Sequence, residues 1–340
     1  MKFPKTKEIS SELLKKILSI ILAVFAVVVF FTAFEIYMPV NPDSHQIVSF
    51  IVEKGWGDDQ IAVKLKEAGL IRSPKFFQFY VISTLRHTSL QAGEYNLSPK
   101  ESTYEIAKKM AQGDIVRDKV IILEGWDINH IGKYLESKEI CTKEDFFELT
   151  KKDYSEDFDF LADKPKVVTL EGYLFPDTYE ISKSETCEDI LYAMLNNFGK
   201  KITSDLREEI SRQGESIYNI VTMASLIEKE VRTLQDKEIV SGILWKRLEI
   251  GMPLQVDATL IYITGRTSVL PGDKKIDSPY NTYMYYGLPA GPISNPGLNS
   301  ITAVIYPRQT NYLFYLSDGT TIFSKTLAEH NAAIEKYLKY

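Results

Sequence analysis

The sequence predicts an α+β protein carried on a single N-terminal transmembrane helix, and three observations predict it. Ile17 to Phe34 runs for eighteen residues without a charge, with Ser19 and Thr32 as its polar members, and Ile36, Tyr37 and Met38 extend it. Such a stretch is long enough to cross a bilayer as a helix. Next, FIVEKGWGDDQIAVKLKEAGLIRSPKFF (50 to 77) aligns with VIILEGWDINHIGKYLESKEICTKEDFF (120 to 147) at an offset of 70, matching Trp56 with Trp126, Ile61 with Ile131, and Leu65 with Leu135. Each copy opens on a β-branched run, turns at Gly-Trp and continues with helical spacing, so a strand followed by two helices is expected twice. Finally, IYNIVTMASLIEKEV (217 to 231) places Ile217, Ile220, Val221, Met223, Ala224, Leu226, Ile227 and Val231 on one broad apolar arc of a helix, with Tyr218, Thr222, Ser225 and Lys229 opposite.

In chain order, Lys2, Lys5, Lys7, Lys15 and Lys16 precede the apolar run against Glu8 and Glu12. The positive-inside tendency puts the N-terminus in the cytoplasm and everything after Pro39 outside the cell membrane. The apolar run exceeds the core of a usual signal peptide and no small-x-small pattern precedes Pro39, so an uncleaved, single-pass anchor over 17–38 is expected after a tail of 1–16. Residues 1–38 carry five Lys and three Glu, so the formal net charge of -6 leaves the exterior part more acidic still. An acidic exterior argues against nucleic acid as a partner. Cys141 and Cys187 are the two cysteines; one disulfide and two free thiols are both compatible with the sequence.

After a polar linker to Gln46, the first repeat copy is followed by GEYNLSP (93 to 99), which reads as a strand, and by the capping box Ser102-Thr103-Tyr104-Glu105, which opens a helix to Met110. Strand, helix, helix, strand over 48 to 97 is compatible with a small carbohydrate-binding module. Trp56 and Trp126 could stack on sugars, but both stand at the same strand-to-helix corner, where a Trp commonly packs the turn. The charged stretch Ser155 to Lys166 marks a boundary. VVTL (167 to 170) then reads as a strand running into Glu171-Gly172, and helices are expected over 188–198, 204–213 and 236–250, the last ending before Gly251. Asp277 to Gly297 is rich in Pro and Gly, and so long an irregular segment in a compact domain is usually functional. The chain ends in a hairpin turning at Asp318-Gly319 and a helix capped at Thr326.

No G-x-S-x-G elbow, H-E-x-x-H, Walker loop or paired C-x-x-C is present, and His45, His87, His130 and His330 lack ligand spacing, so neither a metal nor another cofactor is expected. What remains is carboxylate chemistry among Tyr, Asn, Gln and Gly-Pro loops, a combination suited to polysaccharides. Glu228 and Glu230 both fall inside the apolar arc of 217–231. A carboxyl held against apolar side chains is desolvated, which raises its pKa toward that of a general acid. Periodicity does not choose between them.

EGYLFPDTY (171 to 179), ASLIEKE (224 to 230), LEIGMPLQVDATLIY (248 to 262), SPYNTY (278 to 283), GLPAGPISNPG (287 to 297) and FSKTLAEHN (323 to 331), in that order, resemble the endolytic murein transglycosylase family, also called YceG-like. The resemblance implies a lytic transglycosylase, an enzyme that cuts nascent peptidoglycan strands internally, with peptidoglycan synthases as candidate partners. It singles out Glu230, the second Glu of E-K-E, as the catalytic acid, and implies a LysM-like module over 46–118, a second β-α unit and linker over 119–165 and a catalytic domain over 166–340. Gln255, Asp257 and Asn281 match family motif positions, and with Tyr280 and Glu171 they are candidates for binding substrate. Asp257 could instead cap the segment after it, Tyr280 and Asn281 could order their loop, and Glu171 could be a turn residue bonding backbone amides. Many relatives carry Thr-Asp-Pro-Thr where this chain has Val256-Asp257-Ala258-Thr259, which leaves the acidic residue intact. Two other readings stay open: a non-catalytic glycan-binding scaffold, and a lysozyme-type muramidase with Glu171 as second carboxylate.

Overall fold

The structure is a computed structural model that describes residues 11–84, 90–182 and 185–337. Lys2, Lys5, Lys7 and Glu8 of the charged tail, and His87, lie outside the described residues. The chain is of mixed α and β content, and it divides into a unit reaching to Asp118 and a unit comprising Lys119–Ile181 and Glu185–Tyr340.

The first unit begins with α1 (Ser11–Tyr37). Its stretch Glu12–Tyr37 is the one described helix long and apolar enough to cross a membrane. There follow β1 (Val48–Val52), α2 (Asp58–Glu67), α3 (Pro74–Thr84), β2 (Gly93–Leu97) and α4 (Thr103–Gln112). β1 and β2 pair antiparallel, Val48 opposite Leu97 and Val52 opposite Gly93. The period of two turns Phe50, Val52, Tyr95 and Leu97 to one face, where they bury against Ile61, Leu65, Phe77, Ile106 and Met110. At the start of α4 the expected capping box forms: Ser102 Oγ accepts from Glu105 N at 3.3 Å, and Glu105 Oε2 accepts from Ser102 N at 2.8 Å.

In the second unit β3 (Asp118–Ile121) pairs with β4 (Thr178–Ile181), and α5 (Ile128–Ser137) and α6 (Lys143–Thr150) lie between them in sequence. The repeat is thus realised as strand, helix, helix in both copies, with Trp56 and Trp126 at matching corners. Trp126 packs edge-on against Tyr134, ring centroids 5.3 Å apart. The expected strand at 167–170 does not form. Val167 is 94% exposed, Val168 N donates to Pro165 O and Tyr173 N to Leu170 O, so the run is a chain of turns entering Gly172 at φ 90°. Only Gly fits there, because a Cβ would lie 2.6 Å from Val221 Cγ1 and 2.7 Å from Pro292 Cβ.

The remaining helices are α7 (Cys187–Lys201), α8 (Ser204–Arg212), α9 (Ile217–Glu230), α10 (Leu234–Glu249), α11 (Asp257–Thr264), α12 (Leu298–Ile305) and α13 (Leu327–Tyr337), with the hairpin β5 (Phe314–Asp318) and β6 (Thr320–Ser324) before the last. Cys141 and Cys187 form a disulfide that ties the turn before α6 to the first residue of α7. α9 is the hub, packed against α8, α10, α11 and α12. On the face opposite its apolar arc, Thr222 and Ser225 are buried as well, at 1% and 0% exposure. Ser225 Oγ donates to Thr222 O and accepts from Ile293 N at 3.0 Å, and Ser294 Oγ donates to Ser225 O at 3.1 Å. The Gly-Pro loop thereby covers the middle of the polar face, and α9 is buried from Ile220 to Ile227.

Candidate active site

Two carboxylates end α9, and the structure gives them different surroundings. Glu228 is buried in an ion pair with Lys237 Nζ at 3.0 Å, and it also accepts from Gly297 N at 3.1 Å and Ser300 Oγ at 2.6 Å. Every one of those donors belongs to α10 or to the start of α12, so Glu228 fastens α9 to its neighbours. Its oxygens are occupied by fixed protein groups.

Glu230 sits one residue before the end cap of α9. Part of its surface reaches solvent, as a proton donor requires, yet protein packs closely around the carboxyl. Burial lifts its pKa to about 7, and the nearby charge of Asp257 pushes the same way. Three groups oppose the rise: the Tyr315 hydroxyl and the Ala258 backbone amide hydrogen-bond to the carboxyl, and Arg247 adds positive charge. Those contacts come from β5, from the first turn of α11 and from the last turn of α10. A carboxyl balanced near neutrality can give up a proton and take it back.

The sequence-derived candidates fall around this carboxyl and around a second buried one. Asp257 opens α11 and its Oδ1 accepts from the Tyr283 hydroxyl at 2.5 Å. Gln255 is exposed beside it in a left-handed conformation, φ 51°, with its amide bonded to Thr282 O at 3.0 Å. Asn281 is fully buried; its Nδ2 donates to Lys274 O and Ile276 O at 3.2 and 2.8 Å, and its Oδ1 accepts from Tyr283 N at 2.9 Å. It orders the loop that carries Tyr283.

Glu171 forms the second group. It is 4% exposed, and its two oxygens accept from Ile128 N at 3.2 and 3.1 Å while Asn295 Nδ2 donates to it at 2.8 Å. Burial holds its pKa well above the ordinary carboxylate range in spite of these bonds. Asn295 also accepts from Gly172 N and Leu174 N, both at 2.9 Å, and donates to Trp126 O at 3.0 Å, so one amide joins three loops. Tyr262 hydrogen-bonds Glu171, and Tyr280 lies against Tyr262 with ring centroids 5.1 Å apart. The two groups share α11, which carries Asp257 at its start and Tyr262 further along. Asp257, rather than Glu171, is the carboxylate whose charge acts on Glu230.

Three residues were not singled out from sequence: Tyr283, Tyr315 and Arg247. Arg247 is 5% exposed; its Nε donates to Leu313 O at 2.8 Å and its Nη1 to Leu254 O at 2.6 Å. One guanidinium therefore holds both the strand that presents Tyr315 and the segment that leads to Asp257. A basic residue inside the apolar stripe of α10 was the available signal. A cavity of about 770 Å³ lies elsewhere on α10, beside Trp245, Lys246, Arg308, Tyr312 and Lys325, and is lined by none of the candidates.

An α+β chain that sets a near-neutral carboxyl among tyrosines, with the charge of Asp257 acting on it, has the form of a glycan-cleaving enzyme. The comparisons place it more closely: the YceG-like family model matches residues 50–336, and the chain belongs to that family. It is 35% identical over 316 residues to the endolytic murein transglycosylase of Bacillus subtilis (strain 168), covering 88% of this chain and 87% of that protein. It is 28% identical over 334 residues to the endolytic murein transglycosylase of Streptococcus pneumoniae serotype 2 (strain D39), covering 88% of this chain and 60% of the relative. A crystal structure of a YceG-like protein from Listeria monocytogenes superposes with a TM-score of 0.60 at 32% identity, covering 85% of this chain and 99% of that one.

Proposed function

We propose that this protein is a membrane-anchored endolytic lytic transglycosylase of peptidoglycan, with Glu230 as its single general acid and base. The observation that carries the reading is the Glu230 carboxyl, lifted to about 7 by burial while a tyrosine, a backbone amide and an arginine hold it in place. Protonated, it donates to the oxygen linking N-acetylmuramic acid to N-acetylglucosamine. The bond from that oxygen to the muramoyl anomeric carbon breaks, and the muramoyl 6-hydroxyl closes on the carbon. Its proton passes to the same carboxylate, leaving a 1,6-anhydro end. Since the nucleophile is the sugar's own hydroxyl, no positioned water and no covalent carboxylate is needed.

Around that centre, Gln255, Asp257, Tyr283 and Tyr280 are read as substrate-facing, Asn281 and Arg247 as positioning residues, and Glu171 as the buried clasp of the loops behind. The strand-helix-helix-strand unit over 46–118 is read as LysM-like and glycan-binding, residues 119–165 as the second repeat unit with its linker, and 166–340 as the catalytic domain. α1 spans the membrane with its N-terminus in the cytoplasm, which leaves the disulfide in an oxidising compartment. A strand-cutting enzyme tethered there works beside the synthases that make the strands. Mass spectrometry of the ends released from purified glycan strands tests the reaction. Anhydro ends support it, whereas reducing ends alone would make the enzyme a hydrolase and point to Asp257 as the partner carboxylate.

A further inference from the structure

The apolar helix does not hand over to a free tether; its last turns are part of the packing of the first unit. Phe31 meets Phe76 of α3 edge-on, ring centroids 5.7 Å apart. Arg72 lies over the Phe34 ring at 4.9 Å and donates to Pro39 O at 2.6 Å. Tyr37 packs on Tyr104 of α4 at 5.6 Å, Thr103 Oγ1 donates to Glu35 O at 3.2 Å, and Ile36 is 5% exposed.

The length of the span sets the level of these contacts. A hydrocarbon core of about 30 Å takes about 20 helical residues at ~1.5 Å each. Lys15 and Lys16 are the last charges before the apolar run and Glu35 is the first after it, so a span counted from Ile17 ends near Phe34. Phe31 then lies about 5 Å inside that boundary. Phe76, in contact with it, lies there too.

α3 turns Phe77, Tyr80 and Val81 into the core. On its other side Phe79 and Ile82 are 56% and 67% exposed, three and six positions on from Phe76. Exposed aromatic and aliphatic side chains are costly in water, and this stripe continues the bare apolar surface of α1. Lys75, exposed next to Phe76, has the long stem that lets an ammonium reach lipid phosphates while its carbons stay among acyl chains.

We propose that α3 is an interfacial helix, with Phe76, Phe79 and Ile82 immersed in the outer boundary of the lipid bilayer, so that α1 and α3 together form the anchor and the first unit rides in the membrane surface. The proposal rests on the reading of α1 as a membrane span. Both native cysteines are engaged in the Cys141–Cys187 disulfide, so an introduced thiol can be labelled alone. Full chains carrying Val24→Cys, Phe79→Cys, Ile82→Cys or Lys66→Cys are each labelled with a small fluorophore. They are then placed in phosphatidylethanolamine and phosphatidylglycerol vesicles, with or without acyl-brominated lipid as quencher. Loss of fluorescence is expected at positions 24, 79 and 82 and not at 66. Quenching at 24 with positions 79 and 82 as bright as 66 would overturn the interfacial helix and leave the span intact. No quenching at 24 would remove the span itself, and the proposal with it.

Discussion

The Glu228 carboxylate and the Lys237 ammonium meet at 3.0 Å with 8% and 4% of their side chains exposed. Two residues further on, the Glu230 carboxyl is held by the Tyr315 hydroxyl and the Ala258 backbone amide, with the charge of Arg247 nearby. The two glutamates of one helix end thus have different surroundings, one fixed in an ion pair and the other lifted toward neutrality by burial.

The ion pair predicts a stability effect. Changing Lys237 to Met leaves Glu228 buried without its counter-charge, and breaking a buried pair from one side costs about 3 to 5 kcal/mol. Urea unfolding of the variant is expected to show that loss, while a change under about 1 kcal/mol would place the pair in the surface class.

Glu230 predicts a pH dependence of stability. It titrates near 4.5 when unfolded and at about 7 when folded, so the unfolded chain loses this proton first. Stability from this group is therefore undiminished below pH 4.5, falls as pH rises to about 7, and stays lower above. Glu230→Gln removes that penalty while keeping an acceptor for Tyr315 and Ala258. It is expected to stabilise the protein at pH 8 by on the order of 1 to 3 kcal/mol and to change little at pH 4. Equal effects at both pH values would mean that the raised pKa is not the cause.

The groups around Glu230 predict shifts of opposite sign in the pH profile of glycan cutting. Tyr315 favours the ionised carboxyl, so Tyr315→Phe should move the alkaline limb to higher pH; Asp257 disfavours it, so Asp257→Asn should move the limb down. Rates measured across pH 5 to 9, roughly the range in which such a group titrates, check both signs. Parallel shifts in the two variants would contradict the arrangement.

The disulfide closes a loop with a sequence separation of 46. In the chain-entropy account a loop of that size contributes about 4 kcal/mol. Replacing Cys141 and Cys187 together by Ser is expected to lower the thermal midpoint by several degrees, read by circular dichroism, without changing the reaction products.

Much of this was legible in the sequence because periodicity reports local geometry. The long apolar helix α1, the repeated strand-helix-helix unit, the capping box at Ser102 and the hairpin at Gly319 all follow from short-range chemistry. Other features were hidden because they depend on distant partners. Thr222 and Ser225 stand opposite the apolar arc, and their burial under Ile293 and Ser294 depends on a loop some seventy residues away. The β-branched run at 167–170 looks like a strand but finds no partner strand. α11, of eight residues, carries apolar and β-branched residues without a clear period. Glu228 and Glu230 share one apolar arc, and only partners on other elements, Lys237 and Ser300 for one and Tyr315 and Arg247 for the other, tell them apart. Tyr315 and Arg247 lie far from Glu230 in sequence and meet it only through the fold.

The most direct test of the central claim is mass spectrometry of the products formed by the full-length protein and its Glu230→Gln and Glu228→Gln variants on purified glycan strands, each variant first shown to be folded. The account predicts 1,6-anhydro-muramoyl ends from the wild type, none from Glu230→Gln, and the same ends, from whatever fraction remains folded, for Glu228→Gln. Anhydro products at an undiminished rate from Glu230→Gln would contradict it.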